Sequence, residues 1–139
     1  MCTIEIAVVF SIGCNDSRYI RSEHSDQSEV DEYETNIAEI IATAQKYTNK
    51  ILIVGLHTLH PDHKEVSVKD FVYRSSRIHE YNEVLKKLAD THDIPFVETR
   101  YILKNHPEMF HTDNLHLSDE GHSQIAKAVL PELEKLLAS

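Results

Sequence analysis

The chain is short of the residues that staple, stiffen or punctuate a fold. Its 139 residues hold two cysteines, three glycines, four prolines and no tryptophan. Two cysteines, Cys2 and Cys14, make no disulfide framework and suit a reducing compartment. Basic residues are also scarce: 14 Lys and Arg stand against 23 Asp and Glu, a net charge of −9 with histidines neutral. Such a chain is repelled by phosphate backbones and anionic membrane surfaces, which argues against nucleic acid as a partner. Long apolar runs are missing as well, so no segment is expected to span a bilayer. The one run that resembles a signal peptide, "IAVVFSIGC", follows "MCTIE", which has no Lys or Arg where a signal needs a positive n-region. The expectation is a cytoplasmic protein.

Three short runs rich in Ile and Val are present: Ile4 to Ile12, Ile51 to Leu56 and Ile94 to Thr99. They are nearly continuous rather than alternating, as strands read when both faces of a parallel sheet are covered. Between them lie helical patterns. Val30, Tyr33, Ile37, Ile40, Ile41 and Ala44 follow i, i+3, i+4 spacing, and Ser28 with Asp31 predicts a relative of the capping box. A second helix is expected over about Ser75 to Thr91. A third begins after Ser118, a good N-cap, with Asp119 and Glu120 at its positive end and a stripe of Ile125, Val129, Leu133 and Leu136. Pro131 is expected to bend or interrupt it. Strand–helix alternation of this kind predicts an α/β domain over 1–139, with a parallel sheet and helices on both faces.

The irregular segments "NDSRYIRSEHSDQ", "HTLHPDHKEVSVKDFVYR" and "YILKNHPEMFHTDNLH" each follow the C-terminal end of a predicted strand, the edge where open α/β sheets bind ligands. In "SIGCNDS", Gly13 permits close backbone approach and Asn15 offers an amide to a developing oxyanion; Gly, Asn and Asp also suit a plain turn. In "DNLH", Asp113 stands three residues before His116, where a carboxylate orients an imidazole base; the same pair fits a capped surface turn.

Taken in order, these two blocks resemble the SGNH (GDSL-type) ester hydrolase family. "VVFSIGCNDS" is similar to its G-x-N-D block and "DNLHLSDEGHSQIAKAVLPEL" to its D-x-x-H block with the helix that follows. "ILIVGLHTLHPD" and "SSRIHEYNEVLKKLADTHDIPFVE" resemble the strand and helix segments between, so the likeness runs from about Ile6 to Leu137. It implies a flavodoxin-like three-layer α/β/α fold and acyl-ester hydrolysis of a small-molecule or lipid ester, without a cofactor. His116 would be general base and then acid, Asp113 its orienting group, and Asn15 with the Gly13 backbone the oxyanion site. Leu117 departs from the proline usual after the family histidine; a small effect is expected, because that proline shapes a turn.

One departure is large. The family's nucleophile lies in a G-D-S block well before G-x-N-D, and no G-D-S occurs in these 139 residues. Ser11 falls in a predicted strand and Ser17 follows the oxyanion block, and neither stands on a sharp strand-to-helix elbow. Cys14 sits inside the block, where a Cys-His pair is chemically possible, but its side chain is expected to pack against the strand end. The family sheet has strand order 2-1-3-4-5 and the three runs here resemble its last three. The chain therefore reads as a truncated hydrolase whose first strands are missing from it, since one βαβ portion needs about 30 residues. "IAVVFSI" would then be an open apolar edge, prone to self-association.

Two alternatives remain open. The chain could be a non-catalytic remnant that binds esters or a partner. Or "HTLHPDH", with His57, His60, Asp62 and His63, could serve a metal-dependent hydrolase whose nucleophile is bound water, although this loop spacing is no established ligand set. His122 is assigned no role, the acidic run "SEVDEYE" reads as a solvated helix start, and Tyr73, Tyr81 and Tyr101 read as core or rim.

Overall fold

The Ile- and Val-rich runs pair with one another. In the computed structural model, which describes residues 5–139, β1 (Val8–Phe10), β4 (Ile51–Val54) and β7 (Phe96–Val97) form a parallel sheet in the order β1-β4-β7. Each strand is shorter than its apolar run; the first residue of the first run, Ile4, lies outside the described residues.

Register decides which way each side chain points. Val8 and Phe10 lie opposite Ile51 and Ile53, and all four join one core with Tyr33, Ile37 and Ile41 of α1 (Val30–Ala44) and Ile78, Tyr81 and Leu85 of α2 (Ser75–Thr91). Val9 lies opposite Leu52, so by alternation both face the other side, where α3 (Asp119–Ala138) packs against β4 and β7. Helices thus cover both faces, as expected.

Two capping expectations part ways. Ser118 does cap α3, accepting from Gly121 N–H at 3.3 Å. Ser28 does not cap α1: the N-cap is Glu29, whose side chain makes no capping bond, and the Ser28 hydroxyl lies 3.5 Å from Asp16 Oδ1. Pro131 does not interrupt α3, which runs continuously to Ala138. Pro131 is solvent-exposed, so the carbonyl it leaves without a helical partner can turn to water. The stripe on α3 is only half-buried at Ile125, Val129, Leu133 and Leu136, and Leu130 and Leu137 are exposed.

The irregular segments contain a second sheet. β2 (Tyr19–Ile20), β3 (Ser25–Asp26), β5 (Glu65–Val68) and β6 (Phe71–Arg74) form an antiparallel sheet in the order β3-β2-β6-β5. It is built from the loops that follow β1 and β4, with tight turns at His24 and Lys69 in left-handed conformation (φ 51° and 55°). Asp70 fastens the two hairpins by accepting from Ser22 N–H at 3.0 Å and from its hydroxyl at 2.5 Å. Arg77 of α2 pairs with Asp26 at 2.8 Å and ties this sheet to the main body.

Candidate active site

Asp113 and His116 meet because the chain turns sharply between them. Asn114 takes a left-handed conformation (φ 60°), which Asn tolerates better than other non-glycine residues. The turn lets Asp113 Oδ1 accept from the N–H groups of Leu115 and His116, both at 3.0 Å, while Oδ2 meets His116 Nδ1 at 2.6 Å. Partial burial pushes the Asp113 carboxyl up, but the hydrogen bonds from the imidazole and the two N–H groups outweigh it and hold the group at about 2. Asp113 is therefore an anion that can only accept, so the proton in this bond sits on His116 Nδ1 and Nε2 is free of it.

The loop carrying the pair is pinned at its base. Leu117 is buried with Leu103, Met109 and Phe110, and it bridges Phe110 as an antiparallel pair. The leucine in the place of the usual proline thus anchors the turn by burial. Gly121, in the first turn of α3, lies so close that an added Cβ would strike the Met109 carbonyl oxygen and sit 3.1 Å from Leu117 Cβ.

The first block turns directly out of β1. Gly13 is buried, its φ of 141° is one that side chains avoid, and an added Cβ would lie 2.8 Å from Tyr33 Cζ. Tyr33 in turn donates to the Ile12 carbonyl at 2.6 Å, fixing the strand end. Ser11 through Asp16, His57, Leu115 and His116 line one cleft of about 320 Å³. The structure thus brings together Gly13, Asn15 and His116, with Asp113 behind the imidazole.

The local nucleophile candidates are unsuited. Ser17 is buried and donates to the Cys14 carbonyl at 2.8 Å. The Ser11 hydroxyl points to the Gly55 carbonyl at 3.5 Å. Burial pushes the Cys14 thiol up to about 11, helped by the Asp16 carboxylate and opposed by Arg18, so it is no thiolate at neutral pH. Among the described residues no serine or cysteine hydrogen-bonds His116.

"HTLHPDH" divides between two places. His57 lines the cleft with His116, whereas His60 and His63 line a separate cavity of about 340 Å³ with Ser75, Tyr101 and Lys104. Among the described residues no three His, Cys, Asp or Glu side chains gather as a metal-binding group. His57 is the cleft residue that motif reading missed: its signal was position, the third residue after β4 at the ligand edge. Burial lowers its imidazole below the ordinary 6.5; the Thr58 carbonyl, 2.9 Å from Nδ1, opposes this, and His116 and His122 add to it. His57 is accordingly biased toward its neutral form, in the cleft it shares with His116.

Among the described residues no helix is long and apolar enough to cross a membrane. No curated protein matches the chain in sequence. Solved structures match its fold. A lipase/acylhydrolase from Enterococcus faecalis superposes with a TM-score of 0.71 at 17% identity, over 93% of this chain and 61% of that one. A GDSL-like lipase from Bacteroides thetaiotaomicron gives 0.72 at 19% identity, over 93% and 62%. The acetylxylan esterase Axe2 from Geobacillus stearothermophilus gives 0.69 at 20% identity, over 91% and 58%. The chain thus spans about three fifths of the length of these structures. The sequence profile of the GDSL-like lipase/acylhydrolase family matches residues 6–124, both blocks included, and the chain belongs to that family.

Proposed function

We propose that this chain carries the base and oxyanion half of a carboxylic ester hydrolase and that the nucleophilic serine comes from polypeptide outside these 139 residues. The observation that carries the reading is the single cleft shared by Gly13, Asn15 and His116, with Asp113 bonded to His116 at 2.6 Å. In this scheme His116 Nε2 takes the serine proton as the oxygen attacks the ester carbonyl carbon. The carbonyl oxygen becomes an anion facing the Asn15 amide and the backbone at Gly13. Collapse expels the alcohol, which takes the proton from His116, and water then cleaves the acyl-enzyme by the same steps.

The serine-bearing segment would dock on β1. That strand's outer edge has no partner among the described residues, and Ile6, Val9 and Ile12 are 40–47% exposed. A parallel strand there would end beside Gly13 and Asn15, where the nucleophile is needed. Without it, the same edge would pair with a second copy of the chain. A small or lipid ester is the substrate class, and the acidic surface favours neither nucleic acid nor an anionic membrane. Of the alternatives, the non-catalytic binding module is favoured by the unsuited Ser11, Cys14 and Ser17.

The test is to express the 139 residues alone and together with whatever is encoded in frame upstream. Turnover of p-nitrophenyl acetate by the longer form, abolished by His116→Ala and absent from the shorter form, is the expected result. An upstream stop codon, a longer form without such turnover, or His116-dependent turnover by the 139 residues alone would overturn the proposal.

A further inference from the structure

We propose that Tyr73, on the accessory sheet, is a positioning residue that aims the Asn15 amide into the cleft, with Arg18 completing a relay Arg18–Tyr73–Asn15. The role rests on the ester-hydrolase reading above, but the contact that creates it does not.

Asn15 itself is solvent-exposed, and a terminal amide on an exposed loop can present either its oxygen or its nitrogen to a ligand. Only the nitrogen stabilises an oxyanion; the oxygen repels it. Something must choose. Tyr73 is 5% exposed, held in β6 by register with Val66 of β5 and by the main core. Its hydroxyl donates to Asn15 Oδ1 at 3.0 Å. With Oδ1 engaged, Nδ2 keeps both of its protons free.

The phenol is polarised from the other side. Arg18 Nη1 lies 3.5 Å from Tyr73 Oη, the long limit of a hydrogen bond, and a guanidinium can only donate. Arg18 is fixed by two bonds to Gln27 Oε1 (2.9 and 3.2 Å) and by stacking 3.7 Å above the Phe71 ring. A positive donor on the phenol oxygen strengthens its O–H as a donor, and that bond strengthens the N–H groups of Asn15. All of these fixings come from β2, β3, β6 and the residues beside them. The accessory sheet thereby acts as a jig for one atom of the cleft.

The experiment uses the 139-residue chain, labelled with ¹⁵N, and follows the Asn15 side-chain amide by NMR. In the unaltered chain the Tyr73 hydroxyl proton should be visible and give a cross-relaxation peak to the Asn15 amide protons. Tyr73→Phe keeps the ring and its packing. It should move the Asn15 side-chain amide resonances upfield while backbone resonances of the parallel sheet stay in place. Arg18→Gln should move the same pair in the same direction by less. A purely structural tyrosine would shift backbone resonances around the loop without this selective response. Asn15 amide resonances unchanged in Tyr73→Phe overturn the proposal, and an unchanged pair in Arg18→Gln removes Arg18 from it. In a serine-bearing form, Tyr73→Phe should lower kcat about tenfold with KM kept, against the roughly 10²- to 10³-fold expected for Asn15→Ala. If the amide responds as expected while that form shows no His116-dependent turnover, the ester-hydrolase reading fails and the contact stands.

Discussion

The two faces of the parallel sheet are finished to different degrees. On the side of α1 and α2, Tyr33, Ile37, Ile41, Ile78, Tyr81 and Leu85 are all at or below 1% exposure. On the side of α3, Gly121 is the only buried residue in the 20-residue helix, while Leu130 is 52%, Leu137 43% and Val9 42% exposed. The sealed face is closed by two amphipathic helices that also pack on each other, with Tyr33 and Tyr81 rings 4.7 Å apart. The open face has one helix for two strands and, among the described residues, a bare strand edge. The cleft opens at the end of β1, between the two. The most deeply buried side chains lie in the sealed layer, and the cleft lined by Gly13, Asn15 and His116 lies beside the strand edge that is unpaired among the described residues.

Substitutions of equal chemistry should therefore differ by face. Leu85→Ala, at 0% exposure in the sealed core, should cost about 2–5 kcal/mol of unfolding free energy in a urea titration. A loss below 1 kcal/mol would show that layer to be loosely packed and break the comparison. Next in size is Gly121→Ala. Here the obstacle is the Met109 carbonyl, backbone that cannot rotate away, so strain of about 1–3 kcal/mol is expected. The effect should be local as well: amide exchange should rise from Phe110 to Leu117, the loop that holds Asp113 and His116. Unchanged exchange there would mean that the loop is anchored by Leu117 and Phe110 without help from the helix.

How much of this was legible follows from the range of the interactions. The three strands and three helices could be read because each declares itself within a few residues, by an Ile/Val run or a 3.6-residue stripe. Asp113 and His116 were legible for the same reason: their contact spans three residues. The accessory sheet was not. Its strands are two to four residues long, and Tyr19 of β2 finds Val72 of β6 53 positions away. Its turns carry positive φ at His24 and Lys69, without the Asn-Gly or Asp-Gly pairs that announce a hairpin. Tyr73 read as core or rim, and it is buried in the core; its hydroxyl contact with Asn15 was what the sequence did not show. His57 was counted with His60 and His63, although the chain sends it to a different cavity. The capping pattern at Ser28 misled because Ser28 lies one residue before the actual N-cap.

His57 offers a smaller test on the cleft side. Its folded-state pKa lies below the unfolded 6.5, so below that pH the unfolded chain binds a proton that the folded chain refuses. Unfolding free energy should consequently decline as pH falls from about 6.5, by no more than about 1.4 kcal/mol per pH unit, until the folded imidazole also titrates. At pH 8 both states are neutral and the residue contributes nothing of this kind. His57→Gln should flatten that acid-side decline in thermal melts taken between pH 7.5 and 5.5. An identical slope in the variant would mean that the imidazole is as free to charge as in water, and that the cleft beside His116 is wetter than its burial indicates.

The smallest effect is expected on the open face and is the most telling. Leu130 is a large apolar residue on an amphipathic helix, and in a finished layer its loss would cost several kcal/mol. At 52% exposure Leu130→Lys should change the stability of the isolated chain by less than about 0.5 kcal/mol. Association should respond instead. Exposed apolar side chains at Val9, Leu130 and Leu137 favour contact with another surface, and a lysine there imposes a desolvation cost on any partner. Sedimentation velocity of the 139-residue chain should therefore show less self-association in the variant at equal stability. A large loss of stability without change in association would mean that Leu130 packs within its own chain. The two faces would then be equally finished, and the difference between them an accident of side-chain size.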